Sequence, residues 1–126
     1  MARILIIDDD AQLRATLREV LEREGYGVVE AHNGREGLKR YQAAPTAVII
    51  IDILMPEQEG LETIMLLLGV DPQVKIIAIS GGGRTGKMDF LHLAAMLGAQ
   101  RTLHKPFHLQ ELSEAVRDLV QGKSDK

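Results

Sequence analysis

The feature that most constrains the fold of this chain is the segment 47–53, an isoleucine-rich run without polar alternation. A strand of this kind is buried on both faces, which is typical of the centre of a parallel sheet. Similar short runs alternate along the chain with longer segments in which apolar residues recur at helical spacing. This alternation predicts a doubly wound α/β fold, in which a parallel sheet is covered by helices on both faces.

Turn and cap residues set the boundaries of the predicted elements. We predict strands at 3–7, 26–31, 47–53, 74–79 and 102–104. We predict helices at 13–24, 37–44, 60–68, 87–97 and 109–120. Gly25 and Gly98 are expected to end the first and fourth helices, and Asn33-Gly34 to form the turn before the second. The 126 residues are accounted for by one domain, 1–121, and a polar tail, 122–126.

Composition limits the classes of function. The chain has no cysteine, which excludes disulfides, thiolate metal sites and cysteine nucleophiles. Its formal net charge of -3 argues against nonspecific binding to nucleic acid. The apolar run 4–7 is too short for a signal peptide, and no stretch approaches the roughly 20 apolar residues of a transmembrane helix. We therefore expect a cytoplasmic protein that contacts neither DNA nor a membrane directly.

Polar residues stand at the ends of the predicted strands. In an open doubly wound sheet, ligands bind beyond the carboxyl ends of the strands. The first strand leads into Asp8 and Asp9, and the third ends near Asp52. The fourth strand is followed by Ser80, and the fifth by Lys105. We expect carboxylate, hydroxyl and ammonium groups to converge at this edge.

The chemistry of such a site follows from its charge. Carboxylates of Asp8, Asp9 and Asp52 would repel one another unless a cation joined them. Because the donors are oxygens only, a hard divalent ion is expected, Mg²⁺ first and Mn²⁺ as a substitute. With Lys105 and Ser80 placed to bind phosphoryl oxygens, Asp52 is the candidate nucleophile in a phosphoryl transfer.

Short motifs recur in order from one end of the chain to the other. They are ILIIDDD at 4–10, DILMP at 52–56, Ser80-Gly81, LGA at 97–99 and KPF at 105–107. This ordered set resembles the receiver domain of two-component response regulators, in particular the single-domain, chemotaxis-regulator-like kind. The resemblance implies a flavodoxin-like five-stranded parallel sheet of order 2-1-3-4-5 with five flanking helices.

The resemblance also implies roles for the acidic residues. Asp52 would accept a phosphoryl group from a histidine kinase or a phosphotransfer histidine, so that the chain acts as a signalling switch rather than an enzyme. Asp8, Asp9, Asp52 and the main-chain carbonyl of Leu54 would be the protein ligands of Mg²⁺.

The other motif residues would bind phosphate or transmit the switch. Ser80, Gly81 and Lys105 would contact the phosphoryl group, and the Lys105–Pro106 peptide bond would be cis. The family usually has an aromatic residue three positions before the lysine, where this chain has Thr102. The usual aromatic switch residue is therefore missing.

The resemblance further implies how the signal leaves the domain. The usual outlet is the face formed by the fourth helix, fifth strand and fifth helix, which would bind a downstream protein. We expect a monomer or a weak phosphorylation-dependent dimer.

Three alternatives remain open from the sequence. A P-loop nucleotidase is suggested by the segment 81–87, GGGRTGK, which follows a strand. However, Met88 stands where that motif needs Ser or Thr, and Asp8 and Lys105 would have no role. A phosphatase with an aspartate nucleophile would need a second acid at Leu54. A constitutive receiver-like adaptor is the third alternative, and the complete set of site residues argues against it.

Overall fold

The computed structural model of the chain describes residues 1–54, 59–81 and 90–122. The strands are β1 (Arg3–Ile7), β2 (Gly27–Ala31), β3 (Val48–Asp52), β4 (Ile76–Ser80) and β5 (Arg101–His104). The helices are α1 (Ala11–Arg23), α2 (Gly34–Ala43), α3 (Glu59–Val70), α4 (Phe90–Leu97) and α5 (Leu109–Val120). Residues 87–89 of the predicted fourth helix lie outside the described residues.

All five strands form one parallel sheet in the order β2-β1-β3-β4-β5. This confirms the predicted fold class and strand order. β3 is the central strand and is buried over its whole length. The order brings the carboxyl ends of β1, β3 and β4 side by side, which positions the site.

Two separate apolar cores lie on the two faces of the sheet. Leu5 and Ile7 point into the core that is covered by α2, α3 and α4. Ile4 and Ile6 point into the core that is covered by α1 and α5. Alternate residues of a strand face opposite sides of the sheet, so this strand needs apolar side chains at every position.

Asparagine and aspartate caps begin two of the helices. Oδ1 of Asp10 accepts hydrogen bonds from the N–H groups of Gln12 and Leu13 at 3.0 and 3.1 Å, and so caps α1. Asn33 caps α2 in the same way, because its Oδ1 accepts the N–H of Glu36 at 2.8 Å. The prediction that Asn33-Gly34 forms a turn before a helix at 37–44 is therefore wrong: α2 already begins at Gly34.

Main-chain and lysine hydrogen bonds join the elements at the amino edge of the sheet, opposite the carboxyl ends. Nζ of Lys75 donates to the carbonyl of Leu119 at 2.8 Å, which ties the end of α5 to the segment before β4. The N–H of Gly27 donates to the carbonyl of Ala2 at 2.9 Å. Among the described residues, no helix is both long and apolar enough to cross a membrane.

Candidate functional site

Three carboxylates meet at the carboxyl edge of the sheet. Asp8 and Asp9 directly follow β1, and Asp52 is the last residue of the adjacent strand β3. One oxygen from each carboxylate lies within 4.8 Å of the others. Asp8 and Asp52 are buried, whereas Asp9 is exposed. The convergence that the strand ends predicted is present in the structure.

Asp8 is the most deeply buried carboxylate of the cluster. Its Oδ1 accepts the N–H of Asp10 at 2.9 Å. Its Oδ2 is buried and accepts no hydrogen bond from any described residue. Burial raises the pKa of Asp8 to about 6; the Asp10 hydrogen bond opposes this rise, and the charge of Asp52 adds to it. An acceptor left in this state favours the approach of a cation.

Lys105 places one positive charge against the cluster. Its Nζ lies 3.0 Å from Oδ2 of Asp52 and 3.6 Å from Oδ2 of Asp8. Burial alone would lower the pKa of Lys105, but the hydrogen bond and the charge of Asp52 outweigh it and raise that pKa. The Lys105 N–H donates to the carbonyl of Ser80 at 2.8 Å, and the Lys105–Pro106 bond is cis.

The side chain of Asp52 is oriented from two sides. Its Oδ1 accepts the N–H of Leu54 at 2.9 Å, while its Oδ2 accepts from Lys105. Ser80 is the fully buried last residue of β4, one position beyond Ile79, which pairs with Asp52. The two hydrogen bonds therefore fix the orientation of the Asp52 carboxylate, and Ser80 lies on the neighbouring strand.

Gly81 follows Ser80 and packs beside the lysine. A Cβ at Gly81 would lie 3.4 Å from Cδ of Lys105. The glycine thus brings the main chain close to the lysine side chain. The segment 81–87 suggested a nucleotide-binding loop, but its residues 82–87 lie outside the described residues. Residues 55–56 of the DILMP motif also lie outside them.

The residues present fit a hard divalent cation. The cluster offers three carboxylates. The single positive charge of Lys105 balances only part of their negative charge. Oδ2 of Asp8, which accepts no hydrogen bond from a described residue, lies inside the cluster. Oxygen donors of this kind are the ligands that Mg²⁺ and Mn²⁺ prefer.

Sequence reasoning missed two residues that support the cluster. Nη1 of Arg14, in α1, donates to the carbonyl of Asp8 at 2.6 Å. Gly60, in α3, lets that helix start against β3, since a Cβ there would meet Cα of Ile53 and would lie 2.8 Å from the carbonyl oxygen of Asp52. Neither contact follows from a motif. A glycine near a helix start could have suggested close packing, but the sequence does not indicate its partner.

Thr102 lies away from the carboxylates. It is an exposed residue of β5 and pairs in register with Ala78. It lines a shallow groove of about 280 Å³ between β5 and α5, together with Glu111 and Glu114. Thr102 thus lies on the outer surface, and its small side chain forms part of the groove wall.

The sheet order and the acidic cluster at its carboxyl edge describe a class of α/β domains. Comparison with known sequences identifies the family within this class. The model of the response regulator receiver domain family matches residues 4–117. The chain belongs to that family. Receiver domains are signalling switches, so the family does not favour the nucleotidase and phosphatase alternatives.

Individual relatives agree with this assignment. The chemotaxis protein CheY of Thermotoga maritima is 35% identical over 115 residues, which are 90% of this chain and 93% of that protein. A crystal structure of a response regulator receiver domain protein from Clostridium thermocellum matches with a TM-score of 0.87 at 29% identity, covering 97% of this chain and 96% of that one.

A third relative was solved with a ligand. The response regulator protein TrrA from Thermotoga maritima, in complex with Mg²⁺-BeF, matches with a TM-score of 0.82 at 33% identity. The match covers 94% of this chain and 99% of that one.

Proposed function

We propose that this chain is a phosphoacceptor switch in which Asp52 receives a phosphoryl group from a histidine kinase or a histidine phosphotransfer protein. The observation that carries the proposal is the 3.0 Å contact of Lys105 Nζ with Oδ2 of Asp52, inside a cluster of acidic residues. The half-buried lysine places a positive charge directly beside the buried carboxylate. This arrangement suits a carboxylate nucleophile and an anionic phosphoryl group.

The transfer is a displacement at phosphorus. An oxygen of the Asp52 carboxylate attacks the phosphorus of a phosphohistidine, and a P–O bond forms as the P–N bond breaks. The imidazole leaves with the electron pair of the broken bond and is protonated by solvent. Lys105, which holds Asp52 beforehand, then pairs with a phosphoryl oxygen, while Ser80 and Gly81 bind others. Positioning and charge provide the catalysis.

Asp8, Asp9, Asp52 and the main-chain carbonyl of Leu54 would hold Mg²⁺, with Mn²⁺ as a substitute. When bound, the ion neutralises charge on the carboxylates and on the phosphoryl oxygens. The buried oxygen of Asp8, which lacks a hydrogen-bond donor among the described residues, supports this role. So does the Mg²⁺-BeF complex of the related protein TrrA.

The output is binding. Phosphorylation at Asp52 biases two conformations, and a downstream protein that contacts α4, β5 and α5 discriminates between them. Because Thr102 stands where the usual aromatic residue would be, the switch has to reach this face without an aromatic side chain. We assign the switch to residues 1–121 and treat 122–126 as a tail. It works in the cytoplasm, as a monomer or a weak phosphorylation-dependent dimer, without contacting DNA or a membrane.

Incubation with acetyl phosphate, followed by intact mass measurement, tests the proposal. We expect one phosphoryl adduct that requires Mg²⁺, that Mn²⁺ also supports, and that Asp52→Asn abolishes. A thermal melt of Asp52→Asn controls for folding, and borohydride trapping of the acyl phosphate identifies the modified residue. No adduct on the wild type would support a constitutive adaptor, and an adduct that survives Asp52→Asn would reject Asp52 as the acceptor.

A further inference from the structure

The solvent side of α3 is unusually apolar. Between Thr63 and Val70 the helix carries no charged residue. Met65 and Leu66 are each 57% exposed, and Val70 is 46% exposed. A helix at the surface of a monomer normally presents polar residues to solvent, so an apolar outer face indicates contact with another molecule.

A glycine lies at the carboxyl end of this exposed side, as the second-to-last residue of α3. Gly69 is one turn after Met65, and a Cβ built on it meets no atom within 4 Å. The described residues of one chain leave the space beside Gly69 open, so there is room for a second backbone to approach α3 closely at this position.

The apolar side chains border a groove between α2 and α3. The groove has a volume of about 370 Å³ and includes Leu38 and Leu66 in its lining. Arg35 on α2 and Glu62 on α3 also line it. Neither of these two charged side chains forms an ion pair with any described residue. One helix thus offers a basic group and the other an acidic group to the same groove.

We propose that this surface, formed by residues 62–70 with Arg35 and Leu38 and called the α2–α3 face, binds a second copy of the chain. A two-fold interface needs a surface that complements itself. Placing α2 of one copy against α3 of the other brings Arg35 of each copy to Glu62 of the other. A partner of a single charge sign would leave Arg35 or Glu62 unmatched, which is why the second copy is the occupant that the charges favour.

This association needs no phosphoryl group, so it is a second contact, separate from the phosphorylation-dependent dimer proposed above. The α2–α3 face lies on helices that cover one side of the sheet, and none of its residues belongs to the carboxylate cluster. Only a few exposed apolar side chains contribute, so the interface is of the small class that gives weak, concentration-dependent association.

Sedimentation velocity over a range of protein concentrations, without Mg²⁺ or phosphodonor, tests the proposal. We expect a dimer at high concentration and a dissociation constant raised more than tenfold by Leu66→Glu. The matched control is Leu109→Glu, which changes an apolar residue that is 40% exposed on α5, on the opposite side of the sheet. A wild type that stays monomeric, or a Leu66→Glu variant that associates as well as the wild type, would overturn the proposal.

A charge exchange tests the two-fold arrangement itself. Arg35→Glu and Glu62→Arg should each weaken association, and the double variant should restore it. Failure of the double variant to recover would reject the pairing of Arg35 with Glu62. Gly69→Gln is a second blocking variant, since open space at Gly69 keeps the monomer folded. Acetyl phosphate labelling of Leu66→Glu should remain at the wild-type level, which separates this proposal from that for Asp52.

Discussion

Arg14 holds the main chain of Asp8 in place: its Nη1 donates a 2.6 Å hydrogen bond to the Asp8 carbonyl oxygen. Its Nε pairs with Oε1 of Glu30 at 2.9 Å, so the guanidinium is itself fixed. Arg18 contacts the same glutamate at 2.7 Å but donates to the carbonyl of Val28 instead. Two arginines therefore share one partner, and only Arg14 contacts the acidic cluster.

Arg14→Met should weaken Mg²⁺ binding roughly tenfold, as loss of a group that orients a metal ligand does. Arg18→Met is the matched control and should bind Mg²⁺ as the wild type does. Titration calorimetry measures both constants. Equal losses in the two variants would mean that Glu30, rather than the Asp8 carbonyl, carries the effect.

Lys105→Met should change two activities in opposite directions. Removing a positive charge beside Asp52 and Asp8 should tighten Mg²⁺ binding roughly threefold to tenfold. The same change should slow phosphorylation by acetyl phosphate about a hundredfold, because the phosphoryl oxygens lose a cation. Arg23→Met, which removes an exposed cation from α1, should alter neither. A Lys105→Met variant that is phosphorylated at the normal rate would contradict the role of the lysine.

Asp8→Asn should stabilise the metal-free protein by about 1 kcal/mol at neutral pH, since it removes a buried negative charge. In the wild type, Mg²⁺ should raise the melting temperature by mass action, and this gain should be lost in Asp8→Asn. Asp9→Asn should lose most of the gain without becoming more stable in the absence of metal, because Asp9 is exposed. Melting curves with and without Mg²⁺ compare the variants. An Asp8→Asn variant less stable than the wild type would contradict this account of the buried charge.

Glu30 should contribute to stability only above acidic pH. The hydrogen bond from Arg18, with that from Arg14, lowers the pKa of Glu30 below its usual 4.5. A carboxyl with a lowered pKa in the fold stabilises the protein above its unfolded pKa, and this contribution disappears as pH falls through the folded pKa. Glu30→Gln should therefore cost about 1 kcal/mol at pH 7 and little at low pH.

Urea unfolding at several pH values measures this difference. Glu19→Gln is the control, because Glu19 forms an ion pair with Arg23 in which both side chains are more than 70% exposed. It should show almost no cost at any pH. A constant cost for Glu30→Gln across the range would indicate lost packing rather than lost charge.

Two glycines of α3 should respond oppositely to alanine. Gly60→Ala places a Cβ against the main chain of Ile53 and Asp52, which should cost about 2 kcal/mol and slow phosphorylation. Gly69→Ala meets no atom and should gain roughly 0.5–1 kcal/mol. Urea unfolding at low protein concentration measures both in the monomer. Equal effects would mean that helix propensity, rather than close packing at Asp52, determines the response.

The sequence predicts the sheet well because burial on both faces leaves a strong pattern. The run around β3 and the motif ending in Asp8 need apolar residues at every position, and the strand order then brings their ends together. The start of α2 was predicted wrongly because Asn33-Gly34 satisfies both a turn and a helix cap. In the structure, the Asn33 side chain accepts the N–H of Glu36 and the Asn33 carbonyl accepts the N–H of Gly37, which are contacts of a helix start.

Other differences arise from contacts between distant parts of the chain. The fourth strand was predicted from residue 74, but the N–H of Val74 donates to the carbonyl of Asp71 in a turn. The Gln100 side chain accepts the N–H of Ile76 at 2.8 Å and donates to the carbonyl of Val74 at 3.1 Å. For the same reason, the support that Arg14 gives to Asp8 could not be predicted from residue spacing.

The hydrogen bond of Lys75 to the Leu119 carbonyl has a practical consequence for labelling. It holds the end of α5 at the amino edge of the sheet, where Ala2 also contacts Gly27. Fluorescent reporters joined after Gly122 and before Ala2 would thus lie at the same edge of the sheet, away from the aspartates. Energy transfer between the two reporters would follow unfolding.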